Sequence, residues 1–167
     1  AYTVAFRNLV RAPDIFEERA LAFLRLKRLG EGIADLGIAL ELSPDSPKIR
    51  LMRGTALFRF GRFTQAYPDL EFVEEKGSPE RAQAASRLAK PIREASKNGD
   101  YTINRPVLFQ SSLEPGSDPI GRLGTGDSVH LVSLSGGWAK VEVAAKRGVL
   151  TGYVPESVLS LKVALPE

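Results

Sequence analysis

The sequence predicts a two-domain chain, an all-α part followed by an all-β part. Two observations carry this prediction: a gapless internal repeat in the first half, and short β-type runs separated by glycine in the second. Six glycines lie in residues 1–98 and nine in the shorter stretch 99–167. Because glycine weakens helices and favours turns, the second part should be turn-rich. We therefore predict domains at 1–98 and 99–167.

Composition limits the classes of protein. At 167 residues, with 43% apolar and 26% charged residues, the chain fits one ordinary or two small globular domains. The absence of cysteine and the single histidine exclude disulfides, a thiol nucleophile and a cysteine-ligated metal. We expect no metal and no cofactor.

Charge also argues against some partners. The net charge is +3, and aromatic residues are not interleaved with basic ones, so we expect no nucleic-acid binding. No apolar run approaches the roughly 18 residues that mark a membrane-spanning helix, so no transmembrane segment is predicted.

A repeat occupies the helical half. The segment 19–36 aligns without a gap on the segment 53–70. Each copy has apolar residues three and four apart, a break near residues 28–30 or 61–63, and a second amphipathic stretch, which predicts a helical hairpin. The paired positions include Arg19/Arg53, Ala20/Gly54, Ala22/Ala56, Phe23/Leu57, Arg25/Arg59, Leu26/Phe60, Arg28/Arg62, Leu29/Phe63, Asp35/Asp69 and Leu36/Leu70.

A helix-turn-helix repeat with this period resembles the tetratricopeptide repeat, and RGTALFRFGRFTQAYPDL at 53–70 carries the resemblance. Small residues at 20, 32, 54 and 66 fall where that family needs paired helices to approach closely. Ser78-Pro79 opens a helix to about Ser96, which is expected as a terminal capping helix. Residues 2–10 look like the second helix of a preceding repeat, or a cap.

The resemblance implies a concave binding groove. The family's thirteenth position faces that groove and corresponds to three arginines, whose guanidinium groups suit an acidic segment or a C-terminal carboxylate. The alternative is that they are solvated surface or partners of nearby glutamates. The predicted groove residues are Leu21, Leu24, Arg25, Thr55, Phe58, Arg59 and Arg93.

Five short β-type runs follow Tyr101 and predict a five-stranded barrel: 103–110, 120–123, 128–134, 138–143 and 149–154. Their order resembles the SH3-like barrels of bacterial proteins over essentially all of 101–163. The most specific stretch is TGYVPESVL at 151–159, which implies a last strand, a 3₁₀ turn that begins at proline, and a closing strand around 161–163.

Strand alternation places Trp138 on the face of the charged Lys140 and Glu142, away from the apolar residues 139, 141 and 143. A tryptophan on a charged face favours a contact role. Trp138, Tyr153 and Pro155 match three positions of the aromatic shelf on which eukaryotic SH3 domains bind polyproline.

No catalytic constellation is expected. His130 has no second histidine or cysteine with which to share a metal, so it is interpreted as a polar strand residue. The adjacent acidic pairs 17–18 and 74–75 lie on predicted helices, where neighbours in sequence do not face each other.

We therefore expect a non-enzymatic adaptor that binds a protein or peptide partner. The alternative is a bacterial envelope or periplasmic protein whose barrel binds peptidoglycan or a cell-wall peptide. A cytoplasmic location stays open, and so does a role as the accessory part of a larger enzyme or sensor.

Overall fold

The computed structural model describes residues 12–114, 116–146 and 148–163. The helix expected at 2–10 lies outside the described residues. A helical part is followed by a β part, as the sequence predicts. In the described ranges the helices are α1 (Pro13–Arg25), α2 (Leu29–Leu42), α3 (Pro47–Arg59), α4 (Phe63–Lys76) and α5 (Pro79–Asn98).

The first four helices form two hairpins with the same turn. Helix α1 packs on α2 and α3 on α4, while α2 also packs on α3. In the first turn Arg28 N donates to Phe23 O at 2.9 Å, and in the second Arg62 N donates to Leu57 O at 2.9 Å. The repeat in the sequence is therefore a repeat of backbone geometry.

Small residues bring the two helices of each hairpin together. A Cβ added to Gly32 would lie 2.8 Å from Leu24 Cδ2, and one added to Gly54 would lie 3.0 Å from Leu70 Cδ2. Ala20 and Ala66, the corresponding small residues of the facing helices, are completely buried. Larger side chains at these positions would push the helices apart.

An ion pair also joins α1 to α2. Arg19 donates from Nε to Asp35 Oδ2 at 2.6 Å and from Nη2 to Asp35 Oδ1 at 2.7 Å. The hydrogen bonds and the negative charge of Asp35 raise the pKa of Arg19 above its ordinary value. This bidentate geometry fixes the pairing of the two helices.

The β part is an antiparallel sheet in the order β3-β2-β6-β5-β4-β1-β7. A 3₁₀ turn at Glu156–Val158 precedes the last strand. The strands of the described residues are β1 (Asp100–Ile103), β2 (Val107–Gln110), β3 (Pro119–Leu123), β4 (Ser128–Ser135), β5 (Trp138–Ala145), β6 (Gly148–Pro155) and β7 (Leu159–Leu161).

The prediction of a five-stranded barrel is wrong. The described sheet has seven strands and is open, with β3 and β7 at its ends. One cause is a break in the expected strand 103–110. Asn104 leaves the strand to donate from its backbone N to Val158 O at 2.8 Å and from its side chain to Ser157 O at 3.2 Å. Pro106 then lacks the N–H that a continuous ladder needs.

One face of this sheet carries a hydrophobic core. Gly152 lies beside this core, and a Cβ added to it would lie 2.6 Å from Cε2 of Phe109. The buried core residues are Ile103, Phe109, Leu123, Val129, Ala139, Val141, Val154 and Val158.

The chain divides into two compact units, one up to Lys90 and one from Pro91 onward, so α5 runs across the division. Within the described ranges, none of the helices combines the length and the apolar character needed to cross a membrane.

Candidate functional site

A cleft of about 190 Å³ opens between α1 and α3 in the helical unit. Its walls come from one face of each of these helices and from the first residue of α2. Most of the lining is apolar, and Thr55 and Arg59 supply the polar groups. The lining residues are Leu21, Leu24, Leu29, Leu51, Met52, Thr55, Ala56 and Arg59.

The structure brings together four of the seven residues that the sequence assigns to a groove. Leu21 and Leu24 line the cleft from α1, and Thr55 and Arg59 line it from α3. Arg25 is the last residue of α1 and is exposed, next in sequence to Leu24 but outside the lining.

Two predicted groove residues have other environments. Phe58 is buried in the helical unit, where its ring meets the edge of the Phe63 ring with centroids 5.1 Å apart. Arg93 is half-buried on α5 and belongs to the second compact unit. Phe58 thus contributes to the packing between α3 and α4.

Sequence reasoning missed four lining residues, namely Leu29, Leu51, Met52 and Ala56. A signal for three of them was present, because Leu51 and Met52 precede Thr55 by four and three residues, and Ala56 follows Met52 by four. Residues three and four apart share one face of a helix. Leu29 lies at the start of α2 and needs the turn geometry to place it.

Positive charge lies at the rim of the cleft. Arg59 is the last residue of α3. Lys48, near the start of the same helix, forms an ion pair with Glu17 of α1. Among the described residues, neither Arg25 nor Arg59 takes part in an ion pair. The cleft therefore offers an apolar floor with an available guanidinium group at its rim.

The β unit groups the three predicted shelf residues on one face. The strand register pairs Trp138 with Pro155 and Lys140 with Tyr153 across β5 and β6. Trp138, Tyr153 and Pro155 are each half-buried. Gly137 O accepts a hydrogen bond from Glu156 N at 2.9 Å, which ties the loop before Trp138 to the end of β6.

The alternation predicted for β5 is confirmed at its centre. Ala139 and Val141 are completely buried in the core, whereas Trp138, Lys140 and Glu142 remain partly accessible on the opposite face. The shelf is thus a surface feature, held in place by a buried strand face beneath it.

No family model matches the chain. The sequence is similar to a serine/threonine-protein phosphatase T of Aspergillus oryzae, with 29% identity over 118 residues. That match covers 71% of this chain and 23% of the phosphatase, so the chain spans about a quarter of the length of the relative that it matches.

Proposed function

We propose that the chain is a non-enzymatic adaptor whose tetratricopeptide-like helical unit binds a peptide segment of a partner protein. One observation carries the proposal: the cleft between α1 and α3 contains Leu21, Leu24, Thr55 and Arg59, which the resemblance to the tetratricopeptide repeat assigns to one groove. Apolar clefts with a few placed polar groups are the usual form of a binding site.

The lining indicates the chemistry of the partner segment. A cleft of about 190 Å³ accommodates one or two apolar side chains rather than a whole peptide. Arg59, at the edge of the lining, would then bind a carboxylate beside those anchors, since guanidinium and carboxylate groups form paired hydrogen bonds. The partner is therefore expected to combine an apolar anchor with nearby acidic residues.

A peptide display library selected on the full chain tests this function. The selected peptides should carry an apolar residue within a few positions of Asp or Glu, and the variant Arg25→Glu/Arg59→Glu should lose their binding. The matched control is Arg81→Glu/Arg87→Glu, which reverses two exposed arginines on α5. Peptides that bind both double variants equally well would contradict the proposal.

A second candidate function concerns the β unit, which we propose to be a bacterial SH3-like module that binds peptidoglycan or a cell-wall peptide. The observation that favours it is the pairing of Trp138 with Pro155 beside Tyr153 on one accessible face. An aromatic and proline surface is suited to stacking on sugar rings or extended peptides. This function requires a location in the cell envelope or periplasm rather than the cytoplasm.

Sedimentation with purified cell wall tests the second function. The intact chain should pellet with the wall, and Trp138→Ala should remain in the supernatant. Val149→Ala is the control, because Val149 is exposed in the β unit outside the shelf. This function would be ruled out if Trp138→Ala pelleted with the wall as well as Val149→Ala does. Recovery of the native protein in the cytoplasmic fraction would also rule it out.

A further inference from the structure

A second cleft lies in the β unit, away from Trp138. It has a volume of about 210 Å³, and its lining includes carboxylate, imidazole and ammonium groups. Sites for drug-sized molecules are larger, about 300–1,000 Å³, so this cleft matches a smaller ligand. Its lining residues are Asp100, Tyr101, Ser128, Val129, His130, Glu142, Ala144 and Lys162.

The strand register sets three of these side chains in a row. Asp100 of β1 pairs with His130 of β4, and His130 pairs with Glu142 of β5. Directly paired residues of antiparallel strands share a face of the sheet. His130 therefore stands between two carboxylates, one from each neighbouring strand.

A positive charge lies beside this row. Lys162 follows β7, and its backbone N donates to Asp100 O at 2.9 Å. Its side chain crosses β1, so that Nζ donates to Ser128 Oγ at 3.0 Å. Ser128 lies two residues before His130, the partner of Glu142, so Ser128 and Glu142 are diagonal neighbours about 7–8 Å apart on the same face.

The charges of the cleft remain available to a ligand. Among the described residues, no ion pair involves Asp100, Glu142 or Lys162. Glu142, on the β5 side of His130, thus offers a carboxylate for a cation, and Lys162 with Ser128 offers an ammonium and a hydroxyl group for an anion. A ligand that carries both charges at this separation would satisfy both ends.

We propose that this cleft binds a small zwitterion of dipeptide length. Two extended residues span at most about 7 Å, which matches the spacing of the two ends of the cleft. The ligand's ammonium would lie beside Glu142, and its carboxylate would accept hydrogen bonds from Lys162 and Ser128.

This proposal does not depend on the function proposed for the helical unit, because every lining residue belongs to the β unit. A binding test on the cleft can therefore fail while the groove between α1 and α3 still binds a peptide. The reverse also holds, so the two proposals are distinguishable.

Titration of the isotope-labelled full chain with alanyl-alanine, followed by amide chemical shifts, tests the proposal. Shifts should concentrate at residues 100–101, 128–130, 142–144 and 162, with millimolar affinity. Acetylation of the ligand's amine or amidation of its carboxylate should weaken binding about tenfold each, as expected for the loss of a charge-assisted hydrogen bond. Equal binding of the blocked and free dipeptides would overturn the proposal.

Variants separate the two ends of the cleft. Lys162→Met should weaken alanyl-alanine but leave its amide unchanged, and Glu142→Gln should weaken alanyl-alanine but leave its acetylated form unchanged. Lys146→Met is the matched control, because Lys146 is exposed outside the cleft. If Lys146→Met weakened binding as much as Lys162→Met, general surface charge would explain the result and the site would be excluded.

Discussion

Arg53 holds the buried Asp69 through two hydrogen bonds, from Nε to Oδ2 at 2.6 Å and from Nη2 to Oδ1 at 2.9 Å. This pair occupies the same place in the second hairpin as the pair of Arg19 and Asp35 in the first. Asp69 is 1% exposed, and Arg50 adds a contact at 3.2 Å. A charged group in the core of the second hairpin is thus neutralised by arginines of α3.

Replacement of Arg53 by methionine should destabilise the helical unit by about 3 kcal/mol, because it leaves a buried carboxylate with Arg50 as its remaining partner. The double variant Arg53→Met/Asp69→Leu should recover a large part of this loss, since the buried charge is removed together with its partner. Urea unfolding followed by far-UV circular dichroism measures both values. If the double variant were no more stable than the single one, the buried charge would not be the cause.

The two hairpin turns predict opposite effects on stability for substitutions at Lys27 and at Gly61. Both residues have a left-handed backbone, with φ of 59° and 75°, and both follow the end of a helix. A side chain is disfavoured in this conformation, so Lys27→Gly should stabilise the helical unit by about 1 kcal/mol and Gly61→Ala should destabilise it by about as much. Thermal unfolding of the two variants checks this, and a loss of stability in Lys27→Gly would contradict it.

The repeat explains how much of the helical unit could be predicted. Arg19, Asp35, Arg53 and Asp69 occupy matching positions in the sequence, and the structure shows them as matching ion pairs. Periodicity does not determine the position of Phe58, because the last turns of α3 carry apolar residues on more than one side. Which of those faces meets α4 depends on packing that periodicity alone does not reveal.

The β unit was harder to predict because its pairing is non-local. The strands at 120–123, 128–134, 138–143 and 149–154 follow from local alternation, and so does the common face of Trp138 and Lys140. The break at Asn104 depends on a partner, Val158, that lies far along the chain. The cleft at His130 requires the register of three strands, which no local pattern contains.

Gly152 should be the glycine of the β unit that tolerates a methyl group least. A Cβ there would lie 2.5 Å from the backbone oxygen of Gln110 and 2.6 Å from the ring of Phe109. Because a backbone atom cannot move aside cheaply, Gly152→Ala should cost about 3 kcal/mol. Unfolding followed by the fluorescence of Trp138, the single tryptophan of the chain, reports on this unit.

The control for this prediction is Gly121→Ala in β3, where an added Cβ would meet nothing within 4 Å. It should change the stability of the β unit little. Equal losses in the two variants would mean that loss of glycine itself, rather than the contact with Gln110, determines the cost.

The ion pair between Arg28 and Glu31, at the start of α2, predicts that the stability of the helical unit depends on pH. Arg28 Nε donates to Glu31 Oε1 at 2.8 Å, and this hydrogen bond, with one from the backbone, lowers the pKa of Glu31. A group whose pKa is lowered by folding stabilises the folded state above its ordinary pKa, about 4.3 for Glu, and this contribution is lost as pH falls through the folded-state pKa. The variant Glu31→Gln should therefore melt at a lower temperature than the parent at neutral pH, and the difference should shrink as the pH falls from about 5 to about 2. Glu41→Gln, at the exposed far end of the same helix, serves as the control. A melting difference for Glu31→Gln that stayed constant over this range would show that the ionised carboxylate does not provide the stabilisation.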